Sequence, residues 1–191
     1  MKIKYDQPKT LLNSYKSVLG QRPLWDWRHG KFYWIDIHEK ILIENDFLFE
    51  KEKQFRVPEG ITNILLKDTN SFLISSPDTI LDYNPLTNKK LLLKKIIKLN
   101  DTNRINDGAI DLEGNLWIAT MNKSQTTPTG EILQYSRELN EINNDQSYII
   151  SNGPIFDYER KKGYVTDSIK RIIYQFSMNE KNGIKNKKIF L

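Results

Sequence analysis

The sequence predicts an all-β protein built as a β-propeller, and three observations carry that prediction. An apolar strand containing an aromatic or β-branched core recurs as Tyr33-Trp34-Ile35-Asp36, Phe72-Leu73-Ile74-Ser75, Leu116-Trp117-Ile118-Ala119 and Tyr164-Val165-Thr166-Asp167. The starting positions 33, 72, 116 and 164 lie 39, 44 and 48 residues apart, the range of a propeller blade made of short strands. Almost no stretch shows the 3.6-residue period of an amphipathic helix, while turn residues punctuate the chain throughout. One blade cannot bury both faces of its sheet, whereas blades stacked round an axis can. A β-sandwich has similar strand spacing; the recurring aromatic strand favours the propeller.

The elements follow in order. Leu24-Trp25-Asp26 leads to a turn at Arg28-His29-Gly30. Lys31–Ile37 is dense in aromatic and β-branched residues and reads as a strand. Glu39-Lys40 turns the chain and Ile41–Glu44 returns. Ile64–Lys67 precedes a turn at Asp68-Thr69-Asn70, and Ser71–Ser75 with Thr79–Tyr83 forms the next pair. Asn84-Pro85-Leu86-Thr87-Asn88 is turn chemistry. Leu91–Leu99 has some helical periodicity, but its Leu and Ile residues also suit a strand. Asp111-Leu112-Glu113-Gly114-Asn115 is a tight hairpin turn feeding Leu116–Thr120, which pairs with Glu131–Ser136; Gly163–Thr166 and Arg171–Ser177 form the fourth pair. The blades fall at about 15–56, 57–100, 101–150 and 151–191 of a single domain, 1–191, with 1–14 as an N-terminal extension or closing strand. Four blades is the low end for propellers. Phe190-Leu191 falls within what reads as a strand, so the expectation is a partial ring able to self-associate through its open edges.

The bulk composition narrows the function classes. The chain has 191 residues and no cysteine, which excludes disulfides, thiolate metal sites and a cysteine nucleophile. The start lacks a signal-peptide pattern, and no apolar run reaches the ~18 residues of a spanning helix. A cytoplasmic protein without a membrane partner is the expectation. Lysine and arginine outnumber acids 29 to 24, but the excess is scattered in pairs such as Lys89-Lys90, Lys94-Lys95 and Lys187-Lys188. A nucleic-acid reader gathers its basic residues on one patch, so none is expected as partner. No G-x-S-x-G elbow and no glycine-rich phosphate loop occurs. The two histidines, His29 and His38, are too few for a usual zinc site. Asp101–Asp111 is oxygen-rich, but position six of a calcium loop counted from Asp101 is Asn106 and not glycine.

Three polar clusters remain, each at the entrance to a repeat: Gly20-Gln21-Arg22-Pro23-Leu24-Trp25, Arg104-Ile105-Asn106-Asp107-Gly108 and Ser151-Asn152-Gly153-Pro154. Loops entering the inner strands of a propeller lie at one mouth of the central channel, so these clusters are expected to converge there. Converging amide oxygens and carboxylates suit a hard divalent cation; the same residues also make ordinary turns. Spacing alone leaves both readings open.

Taken together, G-Q-R-P-L-W-D, Y-W-I-D-I, R-I-N-D-G, G-N-L-W-I-A-T-M, S-N-G and V-T-D-S, in that order from about Leu19 onward, resemble the regucalcin (senescence marker protein)/gluconolactonase family. The resemblance implies a β-propeller of the six-bladed lactonase type, of which this chain carries about four blades. It implies hydrolysis of a sugar lactone such as gluconolactone to the aldonic acid. The cofactor it implies is a divalent metal, calcium or zinc, with magnesium or manganese in some members. There the metal polarises the lactone carbonyl and orients or activates a water. The family's first metal ligand, a glutamate of G-E-x-P, falls on Gln21, and its second on Asn152. The third, an aspartate of a P-D-G block that also serves as general base, is expected beyond Leu191, so no catalytic base is assigned here. The family's substrate-contacting arginine and asparagine fall on Arg104 and Asn106. Asp36 and Asp167 read as structural groups bonding nearby backbone. Gln21 and Asn152 carry no charge, so weak metal binding is expected. The alternative function is a non-catalytic propeller fragment, pseudoenzyme or binding module.

Overall fold

Among the described residues, sixteen strands in four sheets follow from the four repeats. The structure, a computed structural model, describes residues 15–46, 51–57, 59–68, 70–96, 101–179 and 183–191. Strands β1 (Gly20–Asp26), β2 (Lys31–Asp36), β3 (Ile41–Asp46) and β4 (Lys51–Arg56) form the first blade. Strands β5 (Asn63–Leu66), β6 (Phe72–Ser75), β7 (Thr79–Asn84) and β8 (Lys89–Lys95) form the second. The third is β9 (Asn103–Ile110), β10 (Leu116–Asn122), β11 (Gly130–Tyr135) and β12 (Glu141–Tyr148). The fourth is β13 (Ser151–Asp157), β14 (Lys162–Asp167), β15 (Ile172–Asn179) and β16 (Gly183–Ile189). Every sheet is an antiparallel meander in chain order. The innermost strands β1, β5, β9 and β13 touch their neighbours' counterparts, β1 on β5, β5 on β9 and β9 on β13, which is propeller geometry. The ambiguous Leu91–Leu99 run resolves as a strand over its described part; its end at 97–99, Thr69 of the expected turn, and the expected extension 1–14 lie outside the described residues.

The core lies between blades, and each blade's burial pattern reports how many neighbours it has. Tyr33, Ile35 and Leu42 of the first blade pack with Ile64, Phe72, Ile74, Leu81 and Tyr83 of the second. Leu73 and Ile80 on the opposite face of the second blade pack with Ile105, Leu116, Ile118, Leu133 and Tyr135 of the third. Trp117, Ala119 and Ile132 then face Val165 and Phe176 of the fourth. Strands β6 and β10 are thus buried on both faces and buried at every residue, which explains their apolar runs Phe72-Leu73-Ile74 and Leu116-Trp117-Ile118-Ala119. Strand β14 has one covered face and alternates, as a half-buried strand must. Ile155, Ile189, Phe190 and Leu191 of the fourth blade are exposed.

Of the outer strands β4, β12 and β16, the first two were not expected from sequence, and the strand expected around Phe190-Leu191 is β16, which ends at Ile189. All three are mostly Lys, Glu, Asn and Gln because an outermost strand buries little, and charge along it discourages pairing with another edge. Gly163 answers a packing need: a Cβ there would lie 2.1 Å from the Phe176 ring, which is itself fully buried.

Candidate functional site

Two buried carboxylates set the entrances to the first and fourth blades. Asp36, at the end of β2, accepts hydrogen bonds from the backbone N–H groups of Val18 at 2.7 Å and Leu19 at 3.3 Å, and from those of His38 and Glu39. Burial alone would raise its pKa; the donated backbone and Tyr15 hydroxyl bonds bring it below the ordinary value. Asp167, at the end of β14, accepts from the backbone of Ile149 at 2.9 Å and Ile150 at 3.4 Å. Each aspartate pins the chain two or three residues ahead of a candidate site residue, Gln21 or Asn152.

The sequence expectation put the three polar clusters in loops. They lie instead on the innermost strands β1, β9 and β13, at the ends that begin each strand. Each strand carries an irregularity there: β1 between Gln21 and Leu24, β9 at Asn106, β13 between Asn152 and Ile155. A bulge inserts one extra residue and re-aims the side chains beside it. Asn106 is the extra residue on β9, since Ile105 and Asp107 pair with the consecutive residues Thr120 and Ala119. Consecutive Asn106 and Asp107 can therefore both reach β13. Asn106 Nδ2 donates to Ser151 O at 2.9 Å and to Asn152 Oδ1 at 3.0 Å. The Asp107 carboxylate accepts from Gly153 N at 2.7 Å and Gly108 N at 2.8 Å.

From the first blade, Gln21 Nε2 donates to Thr62 O at 2.8 Å and to Asn106 O at 3.4 Å. Asn106 thereby links both candidate metal ligands, Gln21 and Asn152. Asn152 Nδ2 in turn donates to Ser168 Oγ at 2.8 Å. Arg104 Nη1 donates to Ile105 O at 2.9 Å and Asn106 Oδ1 at 3.3 Å. Burial pushes the Arg104 pKa down. Asn106 is 5% exposed and spends both amide protons on the fourth blade; what it can offer a ligand is the second lone pair of Oδ1.

Sequence reasoning left Arg22 without a role. Its Nη2 donates to Gly108 O at 2.7 Å and its Nε to Ile64 O at 3.3 Å, and Nη1 lies 3.6 Å from Asp107. One side chain thus ties the inner strands of three blades. Its φ of 60° is unusual for a non-glycine residue, and only its place beside Pro23 in a polar cluster hinted at something special. Asn63, at the head of β5, was also missed. It is fully buried, neither side-chain amide atom has a partner, and its Nδ2 lies 3.0 Å from where a Gly108 Cβ would be.

A polar site on the inner strands at one end of the channel is the arrangement on which the comparisons bear. Residues 19–191 match the family described as SMP-30/Gluconolactonase/LRE-like region. The chain belongs to that family. It is 25% identical over 166 residues to a 6-deoxy-6-sulfogluconolactonase of Pseudomonas putida, an alignment covering 86% of this chain and 56% of the relative. Among solved structures it resembles a calcium-binding protein, regucalcin, from Agrobacterium tumefaciens, with a TM-score of 0.81 at 22% identity, covering 91% of this chain and 59% of that one. A luciferin-regenerating enzyme superposes with the same TM-score, covering 92% and 61%. The family member described here therefore spans about three-fifths of the length of these proteins.

The donors on this chain do not fit the divalent cation expected in the family. Gln21 and Asn152 are neutral amides, and Gln21 donates its N–H groups to the carbonyls of Thr62 and Asn106. The cluster's one carboxylate, Asp107, is engaged by two backbone N–H groups and Arg22. Among the described residues no group of three or more His, Asp or Glu side chains is gathered as metal ligands. A hard dication needs several oxygen donors, usually with carboxylates among them.

Proposed function

We propose that this chain carries the substrate-holding wall of a sugar-lactone hydrolase. The observation that carries the reading is the union of Arg104, Asn106 and Asn152 in one hydrogen-bonded unit spanning the third and fourth blades. Family membership and the lactonase among its relatives support the substrate class. The half-buried Arg104 guanidinium has donors to spare for a lactone carbonyl oxygen. In hydrolysis the oxygen of water adds to the carbonyl carbon, the carbonyl oxygen takes on negative charge, the ring C–O bond breaks and the ring oxygen takes a proton. A fixed cation beside the developing oxyanion lowers that barrier. Asn106 positions Arg104 through its Oδ1 and Asn152 through its Nδ2. Asp107 is spent on other partners, so no general base is assigned.

The test is the rate at which the purified chain opens gluconolactone above the buffer rate. Turnover is expected, and Arg104→Gln is expected to lower it by about 10²–10³, the usual cost of losing one oxyanion donor. Asn106→Ala, which frees Arg104 to swing, is expected to act through kcat rather than through stability alone. No turnover above buffer by a folded chain would leave a binding module in place of an enzyme.

A further inference from the structure

We infer that Arg22 is a positioning residue for the candidate site, whose guanidinium holds together the three strand irregularities from which Gln21, Asn106 and Asn152 project. A bulge disrupts the strand ladder locally, so the backbone there needs other partners to keep a single geometry. Three such irregularities meet at this end of the channel: in β1 between Gln21 and Leu24, in β9 at Asn106 and in β13 between Asn152 and Ile155. Arg22 sits inside the first. Its Nη2 donates to Gly108 O at 2.7 Å, just past the extra residue of β9, and its Nη1 lies 3.6 Å from Oδ1 of Asp107, the residue that follows Asn106. The other Asp107 oxygen accepts at 2.7 Å from the N–H of Gly153, the residue that follows Asn152. Arg22 Nε donates to Ile64 O at 3.3 Å, which anchors the same group to β5. One guanidinium–carboxylate pair therefore links β1, β5, β9 and β13.

The pair stands one residue away from the groups it places. Asn106 Nδ2 reaches Asn152 Oδ1 at 3.0 Å and Ser151 O at 2.9 Å, a contact between two blades that holds only while β9 and β13 keep their offset. Asp107 fixes that offset through Gly153, and Arg22 fixes Asp107 and the Gly108 carbonyl beside it. Arg22 thus acts on the two asparagines through other residues. The role calls for arginine. Its three nitrogens face Ile64 O, Asp107 and Gly108 O separately, which the single ammonium of a lysine cannot match. The two side chains are 25% and 19% exposed, so solvent and salt screen the pair less than one on the open surface. The backbone carries a second mark of the role. The Arg22 φ of 60° lies in the left-handed region that glycine adopts freely and arginine rarely. Such a conformation persists where surrounding contacts over-determine it, and those contacts here are the side chain's own.

The kinetic arm of the test rests on the lactone-hydrolase reading; the spectroscopic arm does not. The full chain is compared with Arg22→Gly, which removes the guanidinium at a backbone angle that glycine favours, and with Arg22→Lys. In gluconolactone turnover Arg22→Gly is expected to lose about 10–100-fold in kcat, as a small misplacement of site groups does. Its KM is expected to move by less than about 3-fold, the pattern of a loss felt mainly in the transition state. Millimolar guanidinium is expected to restore part of that kcat and to leave the unaltered chain as it is. Arg22→Lys keeps a charge beside Asp107 without the fork, and an intermediate kcat is expected. In amide NMR spectra the side-chain amides of Asn106 and Asn152 and the backbone amide of Gly153 are expected to shift in Arg22→Gly and to return toward the parental positions with guanidinium. A role in stability alone would leave the folded variant's kcat and these resonances where they are. A folded Arg22→Gly with parental kcat, or with the three resonances unmoved, overturns the proposal. Should Arg22→Gly fail to fold by circular dichroism, Arg22→Lys decides: intermediate values support the proposal, and parental kcat with parental resonances overturns it. Should the unaltered chain show no turnover above buffer, the hydrolase reading fails, and the three resonances alone decide whether Arg22 positions Asn106 and Asn152.

Discussion

Replacing Gln21 by Glu tests the channel's organisation most directly. The substitution keeps the shape of the side chain and removes both amide protons. Thr62 O, 2.8 Å away, and Asn106 O, 3.4 Å away, lose their donor and face a carboxylate instead. Two lost bonds at a net ~1 kcal/mol each predict a cost of ~2 kcal/mol before any repulsion is counted. For a domain of this size that is a fall of roughly 4–8 °C in the thermal midpoint. The same change creates a carboxylate converging with two carbonyl oxygens. Calcium should therefore restore stability to Gln21→Glu and leave the unaltered chain unmoved. At ten times the dissociation constant the expected recovery is ~1.4 kcal/mol. Thermal unfolding followed by circular dichroism, in EDTA and in a calcium series, reads both effects. The reasoning fails if the variant is as stable as the parent in EDTA, or if calcium raises the parent's midpoint as much as the variant's.

Other perturbations probe separate parts of the molecule. Asp26 is 1% exposed; burial would raise its pKa, but Arg28 and His29 bonded to it hold it at about 2. A depressed carboxylate contributes stability above its unfolded pKa near 3.8, and loses it as pH falls toward 2, so Asp26→Asn should cost ~2 kcal/mol at pH 7 and much less at pH 2 in denaturant titrations. Gly163→Ala drives a methyl into the Phe176 ring and should destabilise by ~1–3 kcal/mol, whereas Gly163→Ala combined with Phe176→Leu should recover part of that loss. Asp167→Asn leaves one acceptor oxygen for the N–H groups of Ile149 and Ile150; besides a stability cost of ~1–3 kcal/mol, it should lower lactone turnover by misplacing Asn152.

How much of this was legible beforehand follows from where each residue's partners lie. The recurring strands at Tyr33, Phe72, Leu116 and Tyr164 were legible because strand burial is a local pattern repeated at each blade. Strands β6 and β10 open on apolar runs, Phe72-Leu73-Ile74 and Leu116-Trp117-Ile118-Ala119, because neighbours cover both faces. The convergence of Gln21, Asn106 and Asn152 was legible only through the repeat, which puts equivalent positions near one axis. The outer strands β4 and β12 escaped notice because solvent, not packing, chooses their residues. The bulges escaped because an extra residue in a ladder leaves no mark in composition.

The amino-acid order by itself determined the architecture of this family member, since periodicity, aromatic strands and turn residues act over a few residues at a time. It also placed Gln21, Arg22, Arg104 and Asn152 at the entrances to the repeats. Only the tertiary structure decided what those groups do. It turned Gln21 into a donor to carbonyls about 40 and 85 residues away, matched Arg22 to Asp107, and bonded Arg104 to Ile105 O and Asn106 Oδ1. The physical reason is that a hydrogen bond or an ion pair depends on distance in space. The carbonyls that compete for Gln21 and Arg22 become neighbours only when the innermost strands of three blades meet round one channel.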